Sequence, residues 1–144
     1  MTSTLEAANV SVVRRFIDEV VNGGNLAVVE ETWAEDMTWN GGSLGSFEGR
    51  RAYTAFLAGN VSGAFDGMHL TIHDVVADDD KVVLRFTNSG TNSGAFMGRP
   101  ATNRYAEWRG IGIYTIREGR ITEGWFAEDI LGMLLQLGAV ALPA

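Results

Sequence analysis

A chain of 144 residues with 46% apolar and 20% charged positions reads as one compact globular domain spanning residues 1–144, able to bury roughly two-thirds of the surface its unfolded form exposes. The net charge of −7, with ten arginines scattered around a single lysine (Lys81), excludes a nucleic-acid surface, which needs clustered cations along a phosphate track. Without cysteine there is no disulfide, thiolate metal site or cysteine nucleophile, and the two histidines, His69 and His73, lack the spacing of a metal motif.

The N-terminal MTSTLEAANVSVVRR lacks the basic-then-apolar order of a signal peptide, and no apolar run reaches membrane-spanning length, so a cytoplasmic protein is expected. From about Leu5 to Val21, the residues Val10, Val13, Ile17, Val20 and Val21 recur at helical spacing and predict an amphipathic first helix. The run NGGN stops it, and Asn25 is placed to cap a short second helix through Trp33. EDMTWNGG predicts a short strand ending in a turn. FEGRRAYTAFLAGNVSGAF predicts a third helix with Ala52, Phe56 and Leu57 turned inward.

Beyond Met68 the pattern changes to period two. MHLTIHDVVADDDKVVLRFTNSGT holds two β-rich runs around the acidic turn Asp78–Asp80, and RYAEWRGIGIYTIREGRITEGWFAE holds two more joined at REGR. Alternation puts Arg109, Ile111, Ile113 and Thr115 on one face and Trp108, Gly110, Gly112 and Tyr114 on the other. The tail DILGMLLQLGAVALP starts as an apolar helix. Helices first and hairpins after give an α+β fold, a cone-shaped α+β barrel with three N-terminal helices packed on a curved, mostly antiparallel sheet. The apolar face of Ile111 and Ile113 predicts a homodimer or higher homo-oligomer, an expectation that a monomeric mass by light scattering would remove.

Candidate site residues follow from these faces. Arg85 lies mid-strand and, placed inside the cone, either pairs structurally or holds a substrate oxyanion. Trp39 and Asn40 end a strand expected to line the cavity, where Asn40 is a hydrogen-bond donor or a turn residue before Gly41 and Gly42. Asn88 and Asn92 flank Gly90 in an expected bulge. Phe56, Tyr105, Trp108 and Phe126 supply aromatic walls suited to a flat polycycle. Three carboxylates cluster near the end of the last strand. Glu123 shares a face with Trp125 and turns outward, Asp129 caps the final helix or touches substrate, and Glu128 carries the weakest signal. His69 and His73 read as outer-sheet residues, and Asp78–Asp80 as a solvated turn rather than a calcium loop.

The segments GNLAVVEE and WAEDMTWN resemble nuclear transport factor 2-like proteins, and GTNSGAFMGRPATNRY with WRGIGIYTIREGRITEGWFAEDILGMLLQLG resembles the SnoaL-like polyketide cyclase family. The resemblance implies a cone with a closed, mostly apolar pocket, often in an oligomer, acting on small or polycyclic molecules without a bound cofactor. It also places the cyclases' last-strand aspartate on Phe126, their neighbouring acid/base residue on Gly112 and a histidine on Asn92, none of which exchanges a proton near neutral pH. The epoxide hydrolases of the superfamily match at Arg85, but their aspartate two residues on falls on Thr87.

With the usual acid/base pair missing, the resemblance implies ring hydroxylation of a reduced, anthracycline-type polycyclic substrate. No flavin or metal is required, and a separate reductase delivers the substrate. The alternatives are an aldol-type cyclase or isomerase using Asp129 or Glu107 as an unusual base, and a protein that binds a hydrophobic metabolite without converting it.

Overall fold

The computed structural model describes residues 3–144. Helix α1 (Thr4–Phe16) starts at a capping box, in which Ser3 Oγ accepts from the Glu6 amide and the Glu6 carboxylate accepts from the Ser3 amide. It runs into a π-helical turn, Ile17–Val21, and buries Val13, Phe16, Ile17 and Val20. The second helix is shorter than expected. A 3₁₀ turn (Leu26–Val28) leads into α2 (Val29–Thr32), and the chain is extended from Trp33 onward. The Asn25 side chain makes no capping hydrogen bond. Helix α3 (Arg50–Leu57) buries Tyr53, Phe56 and Leu57 and also ends in a π-helical turn, Ala58–Ser62.

Among the described residues, six strands follow the order β2-β1-β6-β5-β4-β3: β1 (Trp33–Asn40), β2 (Ser46–Glu48), β3 (Phe65–Asp78), β4 (Lys81–Asn92), β5 (Tyr105–Arg117) and β6 (Arg120–Glu128). Every pairing is antiparallel except β1 with β6, so the sheet is mostly antiparallel, curved and not closed. The short β2 has too little length to show a period in the sequence. Helix α4 (Ile130–Gln136) lies against β5.

The expected α+β cone is present, with its helices on the concave face. Alternation on β5 holds from Trp108 to Tyr114: Trp108, Gly110, Gly112 and Tyr114 are buried, while Ile111 and Ile113 stand exposed on the outer face beside Trp125. It breaks at Thr115, expected outside but buried beside the register shift between Thr115 and Ile116. The bulge expected at Gly90 belongs to the partner strand. β4 runs unbroken through Gly90, and the register shift falls on β3 between Asp66 and His69. Two clusters form the core, one between the helices α1–α3 and the sheet, and one under α4 around Phe65, Phe96, Trp108 and Met133. No helix among the described residues is long and apolar enough to cross a membrane.

Candidate active site

Between the two core clusters lies a cavity of about 80 Å³ lined by residues of α1, α3, α4 and the inner face of the sheet. Its floor is set by register. Across β4, β5 and β6, Leu84 opposes Gly112, which opposes Phe126; one step along, Phe86 opposes Gly110, which opposes Glu128; and next Asn88 opposes Trp108.

The two glycines of β5 are space for their neighbours. A Cβ on Gly112 would sit 2.3 Å from the Phe126 ring, and one on Gly110 would sit 2.8 Å from Glu128 Cγ and 2.7 Å from the Phe86 ring. Phe126 and Glu128 therefore lean across β5 into the cavity because β5 has no side chains there.

Glu128 is the one carboxylate among the residues lining the cavity. Its Oε1 accepts from Trp108 Nε1 and from Asn88 Nδ2, each at 2.9 Å. Both donors fall on one oxygen, which leaves Oε2 to exchange a proton. Burial raises the Glu128 carboxyl above its ordinary range, and the hydrogen bonds from Trp108 and Asn88 pull the other way without cancelling the rise. A carboxyl raised by burial in a mostly apolar cavity is a common physical basis of acid/base work. The same cavity holds the buried tyrosines Tyr53 and Tyr114. Burial pushes both phenols upward, well above the ordinary range for Tyr53, and the nearby Glu128 charge adds to it. They stay protonated, each with a hydroxyl able to donate.

The structure distributes the expected site residues unevenly. Trp39, Phe56, Asn88, Trp108 and Phe126 all line the cavity. Arg85 does not. Leu84 and Phe86 take the inner face, so Arg85 points outward, half exposed, with Nε 2.6 Å from Asp74 Oδ2. Burying the apolar residues of β4 decides the face, and the guanidinium takes water and a surface ion pair. Arg85→Ala is accordingly expected to leave turnover unchanged and to cost no more than about 1 kcal/mol of stability, read from denaturant midpoints.

Tyr105 is also outside, its hydroxyl donating to Glu107 at 2.7 Å, and Glu107 shares that exposed face by strand alternation, away from the cavity. Asn40 is half-buried at the β1–β6 seam, where Nδ2 donates to the Gly124 carbonyl at 3.1 Å. Asn92 is buried and saturated: Nδ2 donates to the carbonyls of Ala64 and Gly94, and Oδ1 accepts from the amide and hydroxyl of Thr102. It staples the 93–103 loop and has no capacity left for substrate. Asp129 is exposed and caps α4, Oδ1 accepting from the Gly132 amide at 2.9 Å. Glu123 faces out with Trp125, whose indole N–H it accepts. His69 and His73 are exposed on β3, His73 bonded to Thr87 Oγ1 at 2.8 Å.

Glu128, Tyr53 and Tyr114 are the cavity groups that sequence reasoning passed over. For Glu128 a signal existed. It stands two residues after Phe126 and so shares its inward face, and it is opposite a glycine. The tyrosines carry no signal separating them from ordinary core residues. Among the described residues, no group of three or more His, Asp or Glu side chains could hold a metal ion.

Residues 11–137 match the family described as SnoaL-like polyketide cyclase. Solved structures share the fold. A candidate SnoaL-like polyketide cyclase from Jannaschia sp. CCS1 superposes with a TM-score of 0.89 at 24% identity, over 98% of this chain and 99% of the other. IdmH, a candidate polyketide cyclase from Streptomyces antibioticus, gives 0.78 at 28% identity, over 90% and 98% of the two chains. AclR, a candidate hydroxylase from Streptomyces galilaeus, gives 0.81 at 20% identity, over 94% and 99%. At 24% and 20% identity, the first and third are likenesses of fold. Comparison with curated proteins found no significant match.

Proposed function

The chain belongs to the SnoaL-like polyketide cyclase family, and from that premise we propose that it is a polyketide-tailoring enzyme whose Glu128 moves a proton on an enolisable carbonyl substrate. The observation that carries this reading is a single carboxyl, raised by burial and aligned by Trp108 and Asn88, in a mostly apolar cavity. Glu128 Oε2 takes a proton from a carbon next to a carbonyl. The enolate oxygen is stabilised by hydroxyls such as those of Tyr53 and Tyr114, which stay protonated and lie where water is scarce. Returning the proton to a different carbon is an isomerisation. Attack of the enolate carbon on a second carbonyl, whose oxygen collects the proton, is an aldol closure. Both balance without an oxidant.

Hydroxylation of a reduced anthracycline-type polycycle, with a separate reductase and molecular oxygen, is the second reading. Its sequence argument was a pocket without a base, and Glu128 removes that argument. It keeps one support: a phenol deprotonated by the same carboxylate would be the electron-rich anion that oxygen attacks.

The test uses cyclohex-3-en-1-one, whose conversion to the conjugated 2-enone is followed by ultraviolet absorbance and by deuterium uptake from heavy water. Acceleration by the protein is expected. No acceleration, with oxygen consumed only when protein and a hydroquinone are both present, would favour hydroxylation. Ligand binding with neither reaction would leave a binding protein.

A further inference from the structure

We propose that Phe126 is the size-determining residue of this cavity and confines the site to a single-ring substrate. The inference rests on the reading of the cavity as the active site.

The space itself is the first observation. About 80 Å³ is available. A dry protein cavity of about 150 Å³ takes benzene, and pockets for larger ligands run from about 300 Å³ upward. One ring is therefore near the limit, reached with small shifts of the lining side chains. A flat tetracycle needs a wall removed.

The second observation is which wall that is. Phe126 stands one pleat from Glu128 on the same face of β6, about 7 Å along the strand. Its ring is fixed on several sides. It stacks on Trp39 at 5.5 Å and 28°, meets Tyr114 edge-on at 5.1 Å and 83°, and rests over the backbone of Gly112 and Gly124, where added Cβ atoms would lie 2.3 and 2.7 Å from the ring. A ring held in this way does not swing aside for a ligand without losing contacts. The other aromatic walls, Trp39, Tyr53 and Phe56, pack against one another in the main core and are less free to yield. Phe126 is only half-buried, so it is the wall whose loss enlarges the cavity with the least damage to the core.

Chemically, the substrate is a compact ring with an enolisable carbonyl. The carbonyl reaches the polar end at Glu128, and the hydrocarbon edge meets Phe126.

The experiment measures binding alone, by quenching of tryptophan fluorescence (Trp39 and Trp108 line the cavity) and by ligand-induced thermal shift. The probes are cyclohex-2-en-1-one, 1-tetralone and anthrone, of one, two and three rings. The parent chain is expected to bind the one-ring ketone and to exclude anthrone. Phe126→Ala is expected to tighten anthrone about tenfold or more and to weaken the one-ring ketone. Phe126→Leu, which keeps more of the packing, serves if the alanine variant fails to fold, with the same direction expected. Anthrone bound by the parent as tightly as the one-ring ketone overturns the proposal. So does a parent that binds none of the three, or a truncation that leaves the size order unchanged. A size order that holds while cyclohex-3-en-1-one is not isomerised would sink the proton-transfer reading and leave the role of Phe126 standing.

Discussion

Glu128→Gln is expected to lower kcat by about 10²- to 10⁴-fold, the range associated with removing a positioned acid/base group. The fold should survive the change, because the glutamine carbonyl can still accept from Trp108 Nε1 and Asn88 Nδ2 as the carboxylate does. The variant therefore separates proton transfer from positioning. The pH profile of the parent adds a second reading. With Glu128 as the base, activity falls as pH drops through its raised folded-state value, so the acidic limb should lie above the range of an ordinary carboxylate. The limb should vanish in the variant.

Stability should move the other way from activity. The Glu128 carboxyl has an ordinary value of 4.5 and a higher one in the folded protein. Between the two, the folded state keeps a proton that the unfolded chain has released, so stability falls as pH rises across that window. Above it, the cost of the buried charge is fully present. Glutamine carries no such charge. Glu128→Gln should thus be more stable than the parent at neutral pH, with the difference gone below the ordinary carboxylate range, as measured by denaturant midpoints against pH. Unchanged turnover with lowered stability would instead make Glu128 a structural residue.

Gly112→Ala is expected to destabilise by about 1–3 kcal/mol through overpacking, because its Cβ would lie 2.3 and 2.5 Å from two atoms of the Phe126 ring. The ring can give only by moving toward the cavity, so the same variant should shrink the space beside Glu128 and weaken ligand binding. The cause can be isolated. In a Phe126→Ala background the clash partner is gone, and Gly112→Ala should cost close to nothing. A double-mutant cycle is then expected to show a coupling of about 1–3 kcal/mol. Effects that add to within about 0.5 kcal/mol would mean that Gly112 and Phe126 do not share that space. Gly110 makes the analogous accommodation for Glu128, so the paired glycines of β5 are the backbone counterpart of the two side chains that define the site.

Much of this protein was readable from its residues. Periodicity at 3.6 located α1 and α3, alternation at 2.0 located β4, β5 and β6 and sorted the faces of β5, and the order of elements gave the α+β cone. These are local properties: the pattern lies within one segment, and burying its apolar residues forces the outcome. The aromatic walls Trp39, Phe56, Trp108 and Phe126 were found in the same way.

What failed was choosing a face where both sides looked eligible. On β4, Arg85 was drawn inward by its chemistry, while Leu84 and Phe86 went inward because burial of apolar surface outweighs the attraction of a charge to a cavity. Asn40, eligible as a donor or a turn residue, and Asn92, expected at a bulge, instead complete backbone groups of other segments.

Glu128 marks the boundary between the two kinds of knowledge. Its inward face follows from Phe126 by simple alternation and was available in the sequence. Its chemistry was not. The desolvation that raises its carboxyl, and the donors that align it, come from Trp108 and Asn88 on strands β5 and β4 and from the aromatic walls of two helices. A residue's face is set by its neighbours along the chain, but its proton affinity is set by its neighbours in space. Only the assembled sheet decides that the carboxylate with the weakest signal in ITEGWFAEDILG is the one set in the cavity under Trp108 and Asn88.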